Sequence, residues 1–253
     1  MFIRVISAMI GLVILFTILF SGGIVLYLSA FVVTVLGLYE FNRTQKNHIY
    51  FLFLNSLAVA AMMINQVSFK GPYLFPILIC YLLLLLTGAL LLNIELKIAT
   101  MASFGLFYVG FLMLTILEIK QLDPRFIWYI FLISFMTDTF AFFSGTYFGK
   151  NKLIPDVSPK KTVEGAIGGV LGCLLSGVVY SLLFFPELTY STLPLVAVAS
   201  IAGQFGDLVA SKFKREAQVK DFGTIMPGHG GMLDRFDSIL FVAPVIYIYL
   251  LLI

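Results

Sequence analysis

Four aspartates and one glycine-rich loop carry most of the chemistry this sequence offers. Asp138 stands in FMTDTFAFF and Asp207 in GQFGDLVASK, both inside long apolar runs, and Asp234 and Asp237 lie three residues apart where the last apolar run opens. Ionisable groups at membrane depth are costly and persist mainly where they serve a site. At their spacing Asp234 and Asp237 share one helical face. Carboxylates meeting near a membrane surface suit a hard cation such as Mg2+, which also removes the cost of burying them. The plainer role is a helix cap or a partner for a nearby base. That role serves Asp237 well. It serves Asp138 and Asp207 less well, because no base lies beside them in the chain.

The loop 227–231 reads PGHGG and runs almost directly into Asp234-Arg235. Glycines let a backbone approach a phosphate closely, though a simple turn uses them as well. Lys212, Lys214, Arg215, Lys220, His229 and Arg235 surround the loop and tip the balance toward an anion site. Attraction to anionic headgroups explains the number of these bases but not their mixing with acids. A second basic stretch, Ser158-Pro159-Lys160-Lys161-Thr162, precedes Glu164-Gly165 at the start of an apolar run. Thr162 or Ser158 can cap the helix that begins there, and a helix N-terminus behind two lysines is also a phosphate cradle. Gly165, Gly168, Gly169, Gly172 and Gly177 have the small-residue spacing of tight helix packing in membranes. No GxxxxGK[ST] phosphate loop is present. Two histidines, with Cys80 and Cys173 both in apolar segments, build no zinc site or disulfide framework.

The elements that must position these residues are membrane helices. Of 253 residues 60% are hydrophobic and 11% charged, and the mean hydropathy is +1.04, whereas a soluble domain carries about 25% charge. The apolar runs are unbroken rather than alternating, which predicts helices and not a barrel. Nine are expected, near 4–20, 23–40, 50–67, 73–92, 97–117, 125–148, 164–185, 192–210 and 237–253. Val5 to Leu38 is a single uncharged stretch. As one helix it would run roughly 50 Å, against a hydrocarbon core of about 30 Å. Ser21-Gly22-Gly23 therefore divides it into two helices or a re-entrant pair. No small-residue cleavage site follows the first run, which reads as a retained helix.

Alternating the crossings places 13 of the 16 lysines and arginines, Arg4 among them, on the side of the N-terminus. By the positive-inside rule that side is the cytoplasm. Residues 1–100 read as scaffold. Residues 101–253 read as the catalytic part of one continuous membrane domain, with cytoplasmic loops at 149–163 and 211–236. The net charge of +3 implies no nucleic-acid partner.

Ser211-Lys212-Phe213-Lys214-Arg215, Lys220-Asp221, Gly223, Pro227, His229-Gly230-Gly231 and Asp234-Arg235-Phe236-Asp237 together resemble the C-terminal pattern of the phosphatidate cytidylyltransferases, or CDP-diacylglycerol synthases. SPKKT with Glu164-Gly165, the Gly-Asp-Leu ahead of Ser211, and Asp138 with its trailing aromatics are similar to that family as well. Met226, Val163 and Ala210 depart from its usual residues. The resemblance implies transfer of the cytidylyl group of CTP to phosphatidate in phospholipid biosynthesis. It implies Mg2+, as two divalent ions or as one with a second cation, held by Asp207, Asp234 and Asp237, with Lys220, Asp221, His229 and Arg235 also catalytic. Substrate contacts would come from Asp138, Ser158, Lys160, Lys161, Thr162, Glu164, Ser211, Lys214, Arg215, Gly230 and Gly231. A multi-pass protein of a bacterial plasma membrane, homodimeric in line with the family, completes the expectation. The competing readings are a CTP-dependent lipid kinase, a cytidylyltransferase acting on another lipid phosphate, a transporter with intramembrane acids, and an inactive scaffold. Enzymes that consume CDP-diacylglycerol are excluded, because their DG-x-x-AR stretch is absent.

Overall fold

The computed structural model describes residues 2–253, with side chains from residue 6 onward; Arg4, counted above among the cytoplasmic bases, lies outside those described side chains. The helices are α1 (Phe2–Ser21), α2 (Gly23–Thr44), α3 (Ile49–Phe69), α4 (Leu74–Leu91), α5 (Leu96–Gly105), α6 (Leu112–Leu122), α7 (Arg125–Phe148), α8 (Val163–Phe184), α9 (Thr189–Glu216), the single turn α10 (Leu233–Phe236) and α11 (Ile239–Leu252). A π-helical turn, Leu106–Phe111, joins α5 to α6 without a break. Among the described residues seven helical stretches are long and apolar enough to cross a membrane, and Ile6–Ser21 and Ile239–Leu252 are shorter apolar helices. The chain is thus an all-α, multi-pass membrane protein.

The uncharged stretch from Val5 to Leu38 is two helices. Gly22 and Gly23 break it with φ of 58° and 47°, a left-handed conformation that only glycine adopts without penalty. One boundary needs correction, and one loop carries a strand pair. The segment placed at 192–210 continues as helix to Glu216, so Ser211, Lys212, Lys214 and Arg215 are helical and not part of a loop. After Gly206 nothing in that sequence stops a helix, and lysine, arginine and glutamate propagate one well. The loop 149–163 contains a small antiparallel hairpin, β1 (Lys152–Ile154) and β2 (Ser158–Thr162), with Lys152 opposite Thr162 and Ile154 opposite Ser158.

The chain forms two compact units. One comprises the residues up to Leu114 together with Asp221–Arg235, and the other Thr115–Lys220 with Phe236–Ile253. In the first, Phe41, Phe51, Val59, Leu106 and Val109 are buried. Buried Asn55 ties three helices together there: its amide donates to the Ala102 carbonyl at 2.9 Å and its oxygen accepts from the Tyr81 hydroxyl at 2.9 Å. Apolar side chains gain little by leaving lipid for protein, so such bonds and close packing hold membrane helices together.

In the second unit the most extensive packing is between α7 and α8. The glycine stripe makes it. A Cβ at Gly168 would run into Ser144, at Gly169 into Ala141, and at Gly172 into the Phe140 ring. Hydroxyl pairs stitch further contacts, with Thr137 and Ser200 2.8 Å apart and Ser181 linked to both Tyr129 and Thr192. The outward faces are apolar, as lipid requires; Leu175 and Leu183 of α8 are each 70% exposed.

Gly172→Val should cost about 1–3 kcal/mol through overpacking and lower the melting temperature in detergent by several degrees. Leu175→Ala, on the lipid face of the same helix, should leave it nearly unchanged. Equal melting temperatures for the two variants would contradict a close α7–α8 contact.

Candidate active site

In the first unit a carboxylate that the sequence reading passed over organises the glycine-rich loop. Glu40, at the end of the uncharged run in α2, is 1% exposed. Its two oxygens accept from the backbone N–H groups of Met232 and Leu233 at 2.9 and 2.8 Å. Asp234 does the same from inside the loop: Oδ2 accepts from the N–H groups of Phe222 and Gly231, both at 2.9 Å. Two carboxylates thus answer four backbone donors and close residues 222–234 into a compact loop.

The glycines follow from that closure. A Cβ at Gly223 or Gly231 would strike the Glu40 carboxylate, and Gly230, at φ 86°, lies against Asp234. Between them, Met226 and Gly230 pair their backbones, the Met226 N–H donating to the Gly230 carbonyl at 2.9 Å. The Ser7 hydroxyl of α1 donates to the Pro227 carbonyl at 3.0 Å and lies 2.7 Å from Nδ1 of His229. Gly223 and Gly231 therefore serve close approach to a carboxylate of the chain itself. Asp221 and Arg235 are exposed.

In the second unit the charges gather at the last turns of α9. Asp207, Ser211 and Lys214 recur at helical spacing on one face. Asp207 pairs with Lys161 of β2, and both side chains are 28% exposed. The Ser211 hydroxyl donates to Oδ1 of Asp207 at 3.4 Å. Lys214 is buried. Gly206 lets α9 pass directly under the Asp237 carbonyl. Asp237 stands ahead of α11, outside the apolar helices, with Oδ1 accepting from the Ser238 N–H at 2.8 Å. Burial first, and then the Asp207 charge, push its carboxyl up to about 7, while Lys214 pulls it down and Asp138 adds a weaker push. Three of the four aspartates singled out in the sequence thus share one electrostatic neighbourhood with two lysines.

The rest of the basic stretch is mostly architectural. Thr162 caps α8, its Oγ1 accepting from the Gly165 N–H at 3.1 Å. Glu164 accepts from the backbone N–H groups of Lys150 and Asn151 at 3.1 and 3.2 Å and from the Asn151 amide at 2.7 Å, pinning the hairpin to the helix. Ser158 is half-buried, and Lys160, Arg215 and Lys220 are exposed. The Arg215 guanidinium donates to the Val219 carbonyl at 3.2 Å, past the end of α9.

Among the described residues no group of three His, Cys, Asp or Glu side chains could by itself hold a metal ion. Asp207 and Asp237 nevertheless have the all-oxygen donor chemistry of a hard cation, and their mutual repulsion is what a bound cation relieves.

Glu40 was legible only as the lone acid of its run. Nothing local marks it, because its partners lie more than 190 positions away. Glu40→Ala should strand the Met232 and Leu233 N–H groups. At about 1.5 kcal/mol or more per bond to a charged acceptor, amide exchange at those two positions in detergent should quicken by one to two orders of magnitude. Unchanged exchange there would contradict the clamp.

The model of the cytidylyltransferase family matches residues 2–253. A phosphatidate cytidylyltransferase of Staphylococcus epidermidis is 36% identical over 262 residues, covering 98% of each chain. That of Staphylococcus aureus is 36% identical over 260 residues with the same coverage. That of Staphylococcus saprophyticus is 34% identical over 258 residues, again covering 98% of both. With the match running along essentially the whole chain, motifs and helices alike, this protein belongs to the cytidylyltransferase family.

Proposed function

We propose that this chain is a phosphatidate cytidylyltransferase: it transfers the cytidylyl group of CTP to phosphatidate, giving CDP-diacylglycerol and pyrophosphate for phospholipid synthesis. The observation that carries the reading is the full-length likeness to relatives of that name. The charge cluster on α9 supports it, because it offers what such a transfer needs.

A phosphate oxygen of phosphatidate attacks the α-phosphorus of CTP, a new P–O bond forms, and the bond to the β-phosphate breaks to release pyrophosphate. A phosphate monoester is already ionised near neutral pH, so no strong base is required. The difficulty is bringing two anions together, and positioning with fixed positive charge answers it. Lys161 and Lys160 of β2 steady phosphate oxygens, and buried Lys214 offsets negative charge beside Asp207 and Asp237. Asp207 and Asp237 would hold Mg2+, with Asp234 entering that set on the motif alone; when bound, the ion would supply charge neutralisation on the triphosphate. The family resemblance assigns Lys220, Asp221, His229 and Arg235 a catalytic part, and Gly230, Gly231, Asp138, Ser158, Ser211 and Arg215 contacts to substrate. Thr162 and Glu164 act by fixing the hairpin on which Lys160 and Lys161 stand.

The excess of Lys and Arg on one side supports nine crossings with a cytoplasmic N-terminus, and a site facing the cytoplasm, where CTP is. The bacterial relatives favour the plasma membrane. The family likeness also favours a homodimer.

Detergent-purified protein given CTP, phosphatidate and Mg2+ should release pyrophosphate only when phosphatidate is present, and EDTA should abolish the release. Appearance of CDP instead would make the protein a lipid kinase, and neither product would favour the transporter or scaffold readings. Asp207→Asn and Asp237→Asn should each lower turnover by ~100-fold or more and shift the Mg2+ dependence. Near-normal turnover of Asp234→Asn with unchanged Mg2+ dependence would remove Asp234 from the site.

A further inference from the structure

Beside the α9 charge cluster, the second unit carries an apolar groove of about 440 Å³ between α8 and α9. Ile167 and Val170 of α8 form one wall, and Ile201, Phe205 and Leu208 of α9 the other. Leu153 and Ile154 of β1 roof one end. Gln204 also lines it, and its amide donates to the Ala166 carbonyl of the facing wall at 3.1 Å. Ile167, Ile201 and Phe205 are 56%, 45% and 55% exposed. The slot is therefore open to whatever surrounds the helices, and in a membrane protein that is lipid.

Its position gives the groove a specific occupant. It runs along the first two turns of α8 and the middle turns of α9, residues 201–208, beside the hairpin. Leu208 follows Asp207 in the chain, and β1, which roofs the groove, is paired with β2, which carries Lys160 and Lys161. The Lys161–Asp207 pair, next in the chain to Leu208, thus sets charge beside a lining that is apolar apart from Gln204. A phosphate monoester on a diacyl tail has the complementary pattern: an anion at one end and methylenes beyond it.

We propose that this groove holds an acyl chain of the phosphatidate substrate and sets the chain-length preference of the enzyme. The assignment rests on the transfer reading above and adds to it where the lipid tail lies. Ile167→Trp and Ile201→Trp fill the slot from opposite walls. Each should raise the KM for dipalmitoyl phosphatidate by about tenfold while moving the KM for CTP less than twofold, and should shift the preference toward short-chain phosphatidate. An unchanged ratio of long-chain to short-chain kcat/KM in both variants overturns the groove while leaving the transfer reading intact.

A second measurement needs neither variants nor turnover. Phosphatidate bearing a photoreactive diazirine near the middle of one acyl chain should label peptides containing Ile167 and Phe205 of the unmodified protein. Unlabelled phosphatidate should compete for this labelling, and phosphatidylcholine should not. Labelling equal to that of the lipid-exposed Leu182–Leu183 region at the far end of α8, or competition by phosphatidylcholine, overturns the assignment. Should the wild type release no pyrophosphate, the transfer reading falls, and the labelling pattern still decides the groove.

Discussion

A carboxylate near hydrocarbon must be met by positive charge or by hydrogen-bond donors, since burying it alone costs far more than any fold can spare. Five acids of the two candidate regions obey this constraint, and the ways they obey it build the architecture. Asp207 is met by Lys161, which draws the hairpin onto α9. Glu164 is met by three donors of Lys150 and Asn151, which fixes the same hairpin to α8. Glu40 and Asp234 are each met by two backbone N–H groups, which folds the glycine-rich loop. Asp237 is the least well answered, with one local N–H and the more distant Lys214.

The same constraint explains the chemistry. A transfer between two phosphates needs fixed cations where water is scarce, and a carboxylate that holds a lysine in place also holds a positive charge ready for a phosphate. Small residues make the approach possible. Gly206 brings Asp237 beside α9, and Gly223 and Gly231 admit Glu40 to the loop. In each case a methyl group would displace the carboxylate or its carrier, so the glycines and the acids are parts of one device.

Much of this was legible in the sequence, for identifiable reasons. Long apolar runs announce helices because lipid leaves the backbone no other way to satisfy itself. The break at Gly22 was visible because a single helix there would overshoot the bilayer. Asp138, Asp207 and Asp237 stood out as acids within or at the edge of apolar sequence, and the structure places them in one electrostatic neighbourhood. The glycine stripe of α8 read correctly as packing. The continuation of α9 to Glu216 was not legible, because polarity marks where a helix leaves the apolar layer and not where it stops. Glu40 and the use of Gly223 and Gly231 were hidden by sequence distance: a contact across 190 residues leaves no local periodicity.

The pairing of Lys161 with Asp207 links the hairpin to the α9 cluster beside the proposed lipid groove. A double-mutant cycle on phosphatidate-dependent pyrophosphate release tests it most directly. If the pair acts as a unit, Lys161→Ala and Asp207→Ala each lower kcat/KM by roughly 100-fold, and the double variant loses little more than the worse single one. Losses that multiply in the double variant, or a Lys161→Ala enzyme of normal activity, would contradict the account.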